Sequence, residues 1–208
     1  MKRVLDLSIS ISLLLLISPV ILMISLLIKF SSKGPVLFIQ RRIGKDMKEF
    51  DMYKFRTMVT NAEKIGTGLF SYDDDPRVTS LGKILRKLSL DELPQLINII
   101  KGDMSCVGPR PPVSYELGNI NDFSEPLKKR FSILPGVTGY AQINGRNNLS
   151  WEEKINFDLE YIEIHKKKGV IFDLKIILIT LYKIISMEGS YEMRSNFQKD
   201  KRLQNNND

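Results

Sequence analysis

The sequence predicts a helix-dominated α+β protein. An N-terminal re-entrant membrane helix broken at Ser18-Pro19 is followed by a small cytoplasmic α/β domain with interfacial amphipathic helices. Three observations predict this: Leu7–Ile28 carries no charge, only two short stretches alternate as strands, and two long helical patterns close the chain. The expected domains are 1–30 (re-entrant membrane helix), 31–198 (cytoplasmic domain at the membrane interface) and 199–208 (disordered tail). The 208 residues suffice for one domain with a real core, and 43% hydrophobic with 26% charged residues excludes a disordered acidic chain. The single cysteine, Cys106, excludes a disulfide scaffold, and the single histidine, His165, a multi-histidine zinc site. A net charge of +7 favours anionic partners: phosphates, lipid headgroups or nucleic acid.

The apolar run is 22 residues long, so as a helix it reaches roughly 33 Å, about the thickness of a bilayer core. It exceeds a signal-peptide h-region and is followed by Lys29 and Phe30 instead of a small-residue cleavage site, so it is expected to stay on the protein. Pro19, near its middle, removes a backbone donor and clashes with the carbonyl four residues back. Lys2 and Arg3 precede the run, and Lys29, Lys33, Arg41 and Arg42 follow it. A spanning helix leaves its basic excess on one side, so two basic flanks predict that both ends face the cytoplasm. A single-pass helix that tolerates Pro19 is the alternative.

Beyond the anchor, Pro35–Gln40 reads as a strand, Arg41-Arg42-Ile43-Gly44 as a turn and Phe50–Met58 as a second strand. Residues 61–70 read as a helix fraying at Gly66 and Gly68, and 73–76 as a turn or cap. Helices are expected at Ser80–Leu88, Leu90–Ile100, Glu125–Phe131, Trp151–Lys166 and Val170–Met187. Gly102–Pro112 is expected to be irregular, and Pro135–Gly139 a turn. Asp173, Lys175 and Lys183 argue against a second membrane span at Val170–Met187, which fits either the interface plane or the core.

The chemistry concentrates in Leu85–Pro112. Asp91 and Glu92 are adjacent carboxylates at a helix start, followed by Gly108-Pro109-Arg110-Pro111-Pro112, an arginine on a rigid extended backbone. From the pattern alone, Ser89-Leu90-Asp91-Glu92 reads well as a capping box. The alternative is phosphate chemistry assisted by a divalent ion, with carboxylates and arginines converging on one helix N-terminus.

These residues carry a resemblance to the bacterial sugar transferase family, the monotopic phosphoglycosyl transferases. It covers nearly the whole chain, through Ser18-Pro19, Gly34-Pro35-Val36, Tyr53-Lys54-Phe55-Arg56-Thr57-Met58, Asp75-Pro76-Arg77, LSLDELPQL, GDMSCVGPRP, Pro135–Gly139, Gln142–Arg146 and Phe172–Lys175. By its size it resembles the small bacillosamine-phosphate transferase type, expected to be without the multi-pass region of larger relatives. The resemblance implies Mg²⁺-dependent transfer of a sugar-1-phosphate from a UDP-sugar to undecaprenyl phosphate with release of UMP. It implies Asp91 as the nucleophile of a covalent phospho-sugar intermediate and Glu92 as a catalytic residue and Mg²⁺ ligand. Arg110 and Arg146 match motif arginines expected to clamp phosphate, and Asp158 matches an acidic position expected to orient an arginine or the ion. Arg86, five positions before Asp91, is expected either to face the same site or to pair with an acid, and all four are assigned to substrate binding. Asp173 is expected to be a cap or an ion-pair partner, and His165 to be solvated.

The implied location is the cytoplasmic face of the bacterial inner membrane, in contact with its lipids. A homodimer stays open. The sugar is expected to be an N-acetylated amino sugar, with glucose and galactose open. Nucleic acid is not an expected partner, because Lys128-Lys129-Arg130 and Lys166-Lys167-Lys168 are short, dispersed and flanked by acids. A non-enzymatic basic membrane adaptor would explain the anchor and the charge but not the acidic pair and the glycines.

Overall fold

The computed structural model describes residues 1–65, 72, 75–114, 116–145 and 148–186. The expected frayed helix is described only as a short 3-10 turn, Ala62–Lys64, and the remainder of it lies outside the described residues, as does the expected tail.

Helix α1 (Lys2–Ser31) is long and apolar enough by length and composition to cross a membrane. One face is docked. Asp6, Ser10, Ile24 and Ile28 are buried, and Leu14, Ile17 and Ile21 are partly buried, at the three- and four-residue spacing that keeps side chains on one helical stripe. The other face exposes Leu15, Leu16, Leu22, Met23 and Phe30, with Leu16 77% exposed. Contiguous exposed apolar surface of this kind marks a membrane or partner contact.

The expected break at Ser18-Pro19 is corrected, because the helix runs through Pro19. Pro19 cannot donate to the Leu15 carbonyl, but the Ser18 hydroxyl does so at 2.9 Å, which satisfies the acceptor that the proline orphans.

Both ends of α1 are tied to the rest of the protein. At the first end Lys2 Nζ bonds Asp173 Oδ2 at 2.6 Å and the Val107 carbonyl at 3.0 Å, and Arg3 donates to the Ile99 and Ile100 carbonyls. Asp6 accepts from the Ser105 hydroxyl and from the Cys106 N–H. At the far end Arg56 Nη2 donates to the Ser32 carbonyl and hydroxyl, both at 2.8 Å.

Strands β1 (Leu37–Ile43) and β2 (Glu49–Phe55) pair antiparallel, with Gln40 opposite Met52 and Phe38 opposite Lys54. The expected turn at Arg41–Gly44 is therefore corrected: the strand continues through Ile43, and the chain reverses over 44–48. The cause is burial, since Ile43 is fully buried against Phe123, Leu127 and Phe131. The hairpin is the hub of the packing. Phe55 joins Ile24, Ile28 and Leu85 of α2 (Ser80–Lys87), while Met52 joins Leu96 and Ile99 of α3 (Gln95–Lys101) and Met104. Each such side chain, buried, contributes roughly 1.5–3 kcal/mol.

The helix expected over Leu90–Ile100 is two elements, a 3-10 turn at Leu90–Glu92 and then α3, with Pro94 between them. The segments expected to be irregular and a turn hold short strands, β3 (Ser105–Val107) and, after α4 (Glu125–Arg130), β4 (Gly136–Thr138). These pair parallel, and Gly108 and Gly136 let the two backbones touch: a Cβ on Gly136 would lie 2.1 Å from the Gly108 nitrogen. Helix α5 (Tyr140–Asn144) follows, unexpected because it is a single turn too short to show a period. Helix α6 (Trp151–Lys168) and helix α7 (Val170–Ile185) close the described chain.

Helix α7 is two-faced. Phe172, Asp173 and Ile176 are buried against Val107, Tyr161 and Ile162, while Ile171, Leu178, Tyr182 and Ile185 are exposed. His165, expected to be solvated, is corrected: its Nδ1 lies 3.1 Å from Asp173 Oδ1, beside the Lys2 ion pair.

Candidate active site

A cavity of about 600 Å³ opens between the hairpin, the end of α2, the proline-rich 108–112 segment and α6. Asp91 and Glu92 reach it from the 3-10 turn. Ser89 precedes them in the left-handed region (φ 55°) and makes no side-chain capping bond, so the capping-box reading of Ser89–Glu92 fails. Glu92 does not fold back onto its own turn. Its Oε1 accepts from Lys54 Nζ of β2 at 2.9 Å and from Arg110 Nη2 at 3.0 Å.

Asp91 is 9% exposed and accepts no hydrogen bond among the described residues. Burial pushes its carboxyl above the usual range, Lys54 pulls it down, the neighbouring Glu92 charge pushes it up, and Arg86 and Arg110 pull it down again. Burial lowers Lys54, with the Glu92 charge opposing. The Glu92 charge raises Arg110. One carboxylate of the pair is thus held by two cations, while the other is buried beside them with its oxygens uncommitted. Such an arrangement can present one carboxylate to an electrophile while its neighbour is held fixed.

Arg86 lines the same cavity, its Nε donating to Thr57 Oγ1 at 2.9 Å. Asp158 lines the α6 side, where its Oδ2 takes Arg130 Nε at 2.6 Å with both side chains 2% exposed. Arg146 lies outside the described residues. Asp91, Glu92, Arg86, Arg110 and Asp158 are therefore brought to one cavity.

Sequence reading missed Lys54 and Arg130 as site residues. Lys54 stands in β2, whose two buried residues, Met52 and Phe55, lie on opposite faces of the strand, so no alternation marks Lys54 as facing a site. Arg130 stands in the basic run Lys128-Lys129-Arg130, and nothing local separates the one buried member from its exposed neighbours.

No group of three or more acidic, His or Cys side chains suited to a metal occurs among the described residues. Magnesium, however, is commonly held by one or two carboxylates, with substrate phosphates and water completing the octahedron, and the Asp91-Glu92 pair fits that pattern.

The Asp75-Pro76-Arg77 motif is structural. Arg77 Nη2 pairs with Asp75 Oδ2 at 2.7 Å, and its Nη1 donates to the Ala62 and Ile65 carbonyls.

Adjacent carboxylates and basic side chains gathered around an open cavity, in a chain with one helix apolar enough to cross a membrane, suit group transfer on a phosphate ester. Residues 1–187 match the bacterial sugar transferase family model, and the chain belongs to that family. It is 41% identical over 189 residues to the sugar transferase EpsL of Bacillus subtilis (strain 168), covering 91% of this chain and 89% of that protein. It is 42% identical over 197 residues to the UDP-glucose:undecaprenyl-phosphate glucose-1-phosphate transferase of Escherichia coli (strain K12), covering 92% of this chain but 41% of that one. It is 36% identical over 206 residues to the undecaprenyl-phosphate galactose phosphotransferase of Salmonella typhimurium (strain LT2), covering 92% and 42% respectively.

Proposed function

We propose that this chain transfers a sugar-1-phosphate from a UDP-sugar to undecaprenyl phosphate, releasing UMP, through a covalent intermediate on Asp91. The observation that carries the proposal is the buried, uncommitted Asp91 carboxylate beside a Glu92 gripped by Lys54 and Arg110. The activities named for the E. coli and Salmonella relatives support the substrate classes.

In the first half-reaction an Asp91 oxygen attacks the phosphorus that bears the sugar. An acyl-phosphate bond forms, and the bond to the bridging oxygen breaks, that oxygen leaving with its electron pair on UMP. In the second, a phosphate oxygen of the lipid attacks the same phosphorus and the Asp91 carboxylate is regenerated. Lys54 and Arg110 offset the negative charge that a diphosphate brings to a carboxylate pair, and Arg86, fixed by Thr57, adds a third cation. Glu92 would hold Mg²⁺ together with the diphosphate oxygens, and the ion when bound would withdraw charge from the phosphoryl group.

The membrane arrangement belongs to the same proposal. Both ends of α1 are bonded to the body that carries the cavity. This supports a monotopic protein with both ends on the cytoplasmic side of the inner membrane. The exposed apolar faces of α1 and α7 would enter the leaflet and set the cavity at headgroup height.

The test is UMP release from a panel of UDP-sugars by the protein in lipid nanodiscs with undecaprenyl phosphate and Mg²⁺. Glucose, galactose and N-acetylated amino sugars are the first donors to try. Release with one donor and matching lipid product supports the proposal, and release with none of them overturns it.

A further inference from the structure

The segment Pro109–Pro112 is held in an unusual way. Three of its four residues are prolines, so it has little to donate, yet all four of its carbonyls accept a hydrogen bond from a different place. The Pro109 carbonyl accepts from the Gly136 N–H, the Arg110 carbonyl from Arg130 Nη2, the Pro111 carbonyl from Arg42 Nη1 and the Pro112 carbonyl from the Ile43 N–H. The two side-chain donors grip the carbonyls of Arg110, whose guanidinium reaches Glu92, and of the residue after it. Each is itself oriented: Arg42 Nε by Gln40 Oε1 at 3.0 Å, Arg130 Nε by Asp158 Oδ2 at 2.6 Å.

The Arg130–Asp158 pair is a poor device for stability. Both side chains are 2% exposed, and Asp158 Oδ1 accepts no hydrogen bond among the described residues, so two desolvated charges are incompletely compensated. Buried pairs of this kind are commonly replaceable by apolar residues with no loss of stability. The guanidinium is also wedged between the Phe131 and Trp151 rings, 5.4 and 5.5 Å from their centroids, which leaves it one orientation.

We propose that Arg130, oriented by Asp158, is a positioning residue that holds the Arg110 carbonyl and so aims the Arg110 guanidinium at Glu92 and at the phosphoryl group transferred beside it. Arg130 acts through Arg110 and does not itself touch the reacting atoms. The inference rests on the proposed function for its catalytic readout, but its structural half stands alone. The proline-rich backbone makes such a grip effective: with φ fixed at three of four residues, pinning one carbonyl fixes the Cα–Cβ direction of Arg110, from which its side chain reaches Glu92.

The test compares wild type with Arg130→Met/Asp158→Leu, which exchanges the buried charges for apolar side chains, and with Arg130→Lys, which keeps the charge but loses the two-armed guanidinium. All are assayed in nanodiscs with the preferred UDP-sugar. The expected result is a melting temperature close to wild type for the double variant and a kcat lowered about 100-fold, the scale of a misplaced catalytic group. The same double change made in an Arg110→Ala background should cost little more, because Arg110 is the residue through which Arg130 acts.

A folded double variant with wild-type kcat overturns the inference, and so do losses that multiply fully with Arg110→Ala. If the double variant does not fold, Arg130→Lys is judged by the same two criteria. If wild type releases UMP from no donor, the proposed function has failed separately. The Arg110 Nε–Hε NMR resonance then decides: a shift in Arg130→Lys supports the positioning role, and an unmoved resonance overturns it.

Discussion

The Ser18 hydroxyl donates to the Leu15 carbonyl at 2.9 Å, the acceptor that Pro19 leaves without its backbone partner. A serine immediately before a proline can thus carry a helix through a residue that would otherwise leave a carbonyl unpaired in lipid.

Ser18→Ala should therefore destabilise the protein in lipid by about 1 kcal/mol, the cost of an unsatisfied acceptor. The same change in a Pro19→Leu background should cost almost nothing, because the substituted residue supplies a backbone N–H that serves the Leu15 carbonyl. Thermal melts of the four proteins in nanodiscs check this. Equal losses in both backgrounds would show that the Ser18 bond is incidental.

Asp91→Asn preserves volume and should lower transfer by more than about 1000-fold while leaving the melting temperature nearly unchanged. Intact-protein mass after incubation with UDP-sugar and Mg²⁺, without lipid, should show a sugar-phosphate adduct on wild type and none on the variant. An active Asp91→Asn enzyme would remove the covalent mechanism.

Two serines share one sequence signature and should respond differently. Ser150→Ala breaks a capping box in which Ser150 Oγ accepts from Glu153 N and Glu153 Oε2 accepts from the Ser150 backbone, and should cost about 1 kcal/mol. Ser89→Ala removes no capping bond and should cost far less. Urea titration of both variants distinguishes them, and equal losses would contradict the assigned caps.

Cysteines introduced at Lys33 and in a short extension before Met1 should both resist an impermeant maleimide in intact spheroplasts and both react in inverted vesicles. Periplasmic labelling of the N-terminal site would show a spanning helix and end the monotopic proposal. Cys106 will not confuse the assay, for the reason that follows.

Burial, reinforced by the Asp6 charge, pushes the Cys106 thiol up to about 12. Alkylation at pH 8 should therefore be far slower in the folded protein than in urea, since the thiolate is the reactive form. Because the folded pKa is raised, the associated stability is fully present below the ordinary value of 9.0 and is lost as pH climbs from there toward 12. Asp6→Asn should bring the labelling onset to lower pH. Labelling of the folded protein at pH 8 at the rate of a free thiol would contradict the buried placement.

The long apolar helix, the paired carboxylates, the arginine between prolines and the two closing helices were all legible in the chain. These are local features: an uncharged run, a spacing, a fixed φ, a period of 3.6. The strands β3 and β4 were not legible, because three residues are too few to alternate and their ladder joins segments 31 positions apart in the Ser105–Gly136 register. The turn expected at Arg41–Gly44 was displaced by tertiary burial of Ile43.

What the sequence determined by itself was which residues bring chemistry: Asp91 and Glu92 in one turn, Arg110 on a stiff segment, and an apolar helix with basic ends. What only the tertiary structure decided was which of them act together. The signature S-x-x-E occurs at Ser89–Glu92 and at Ser150–Glu153, and local pattern cannot separate the two. Glu153 folds back onto its serine, whereas Glu92 meets Lys54 from a strand 38 residues away and Arg110 from a strap 18 residues away. Two charged donors outcompete one backbone N–H for a carboxylate, and that competition exists only once the chain has folded. The same holds for Arg130, one of three consecutive basic residues: packing against Phe131, Trp151 and Asp158 buries it, and the neighbours stay in solvent.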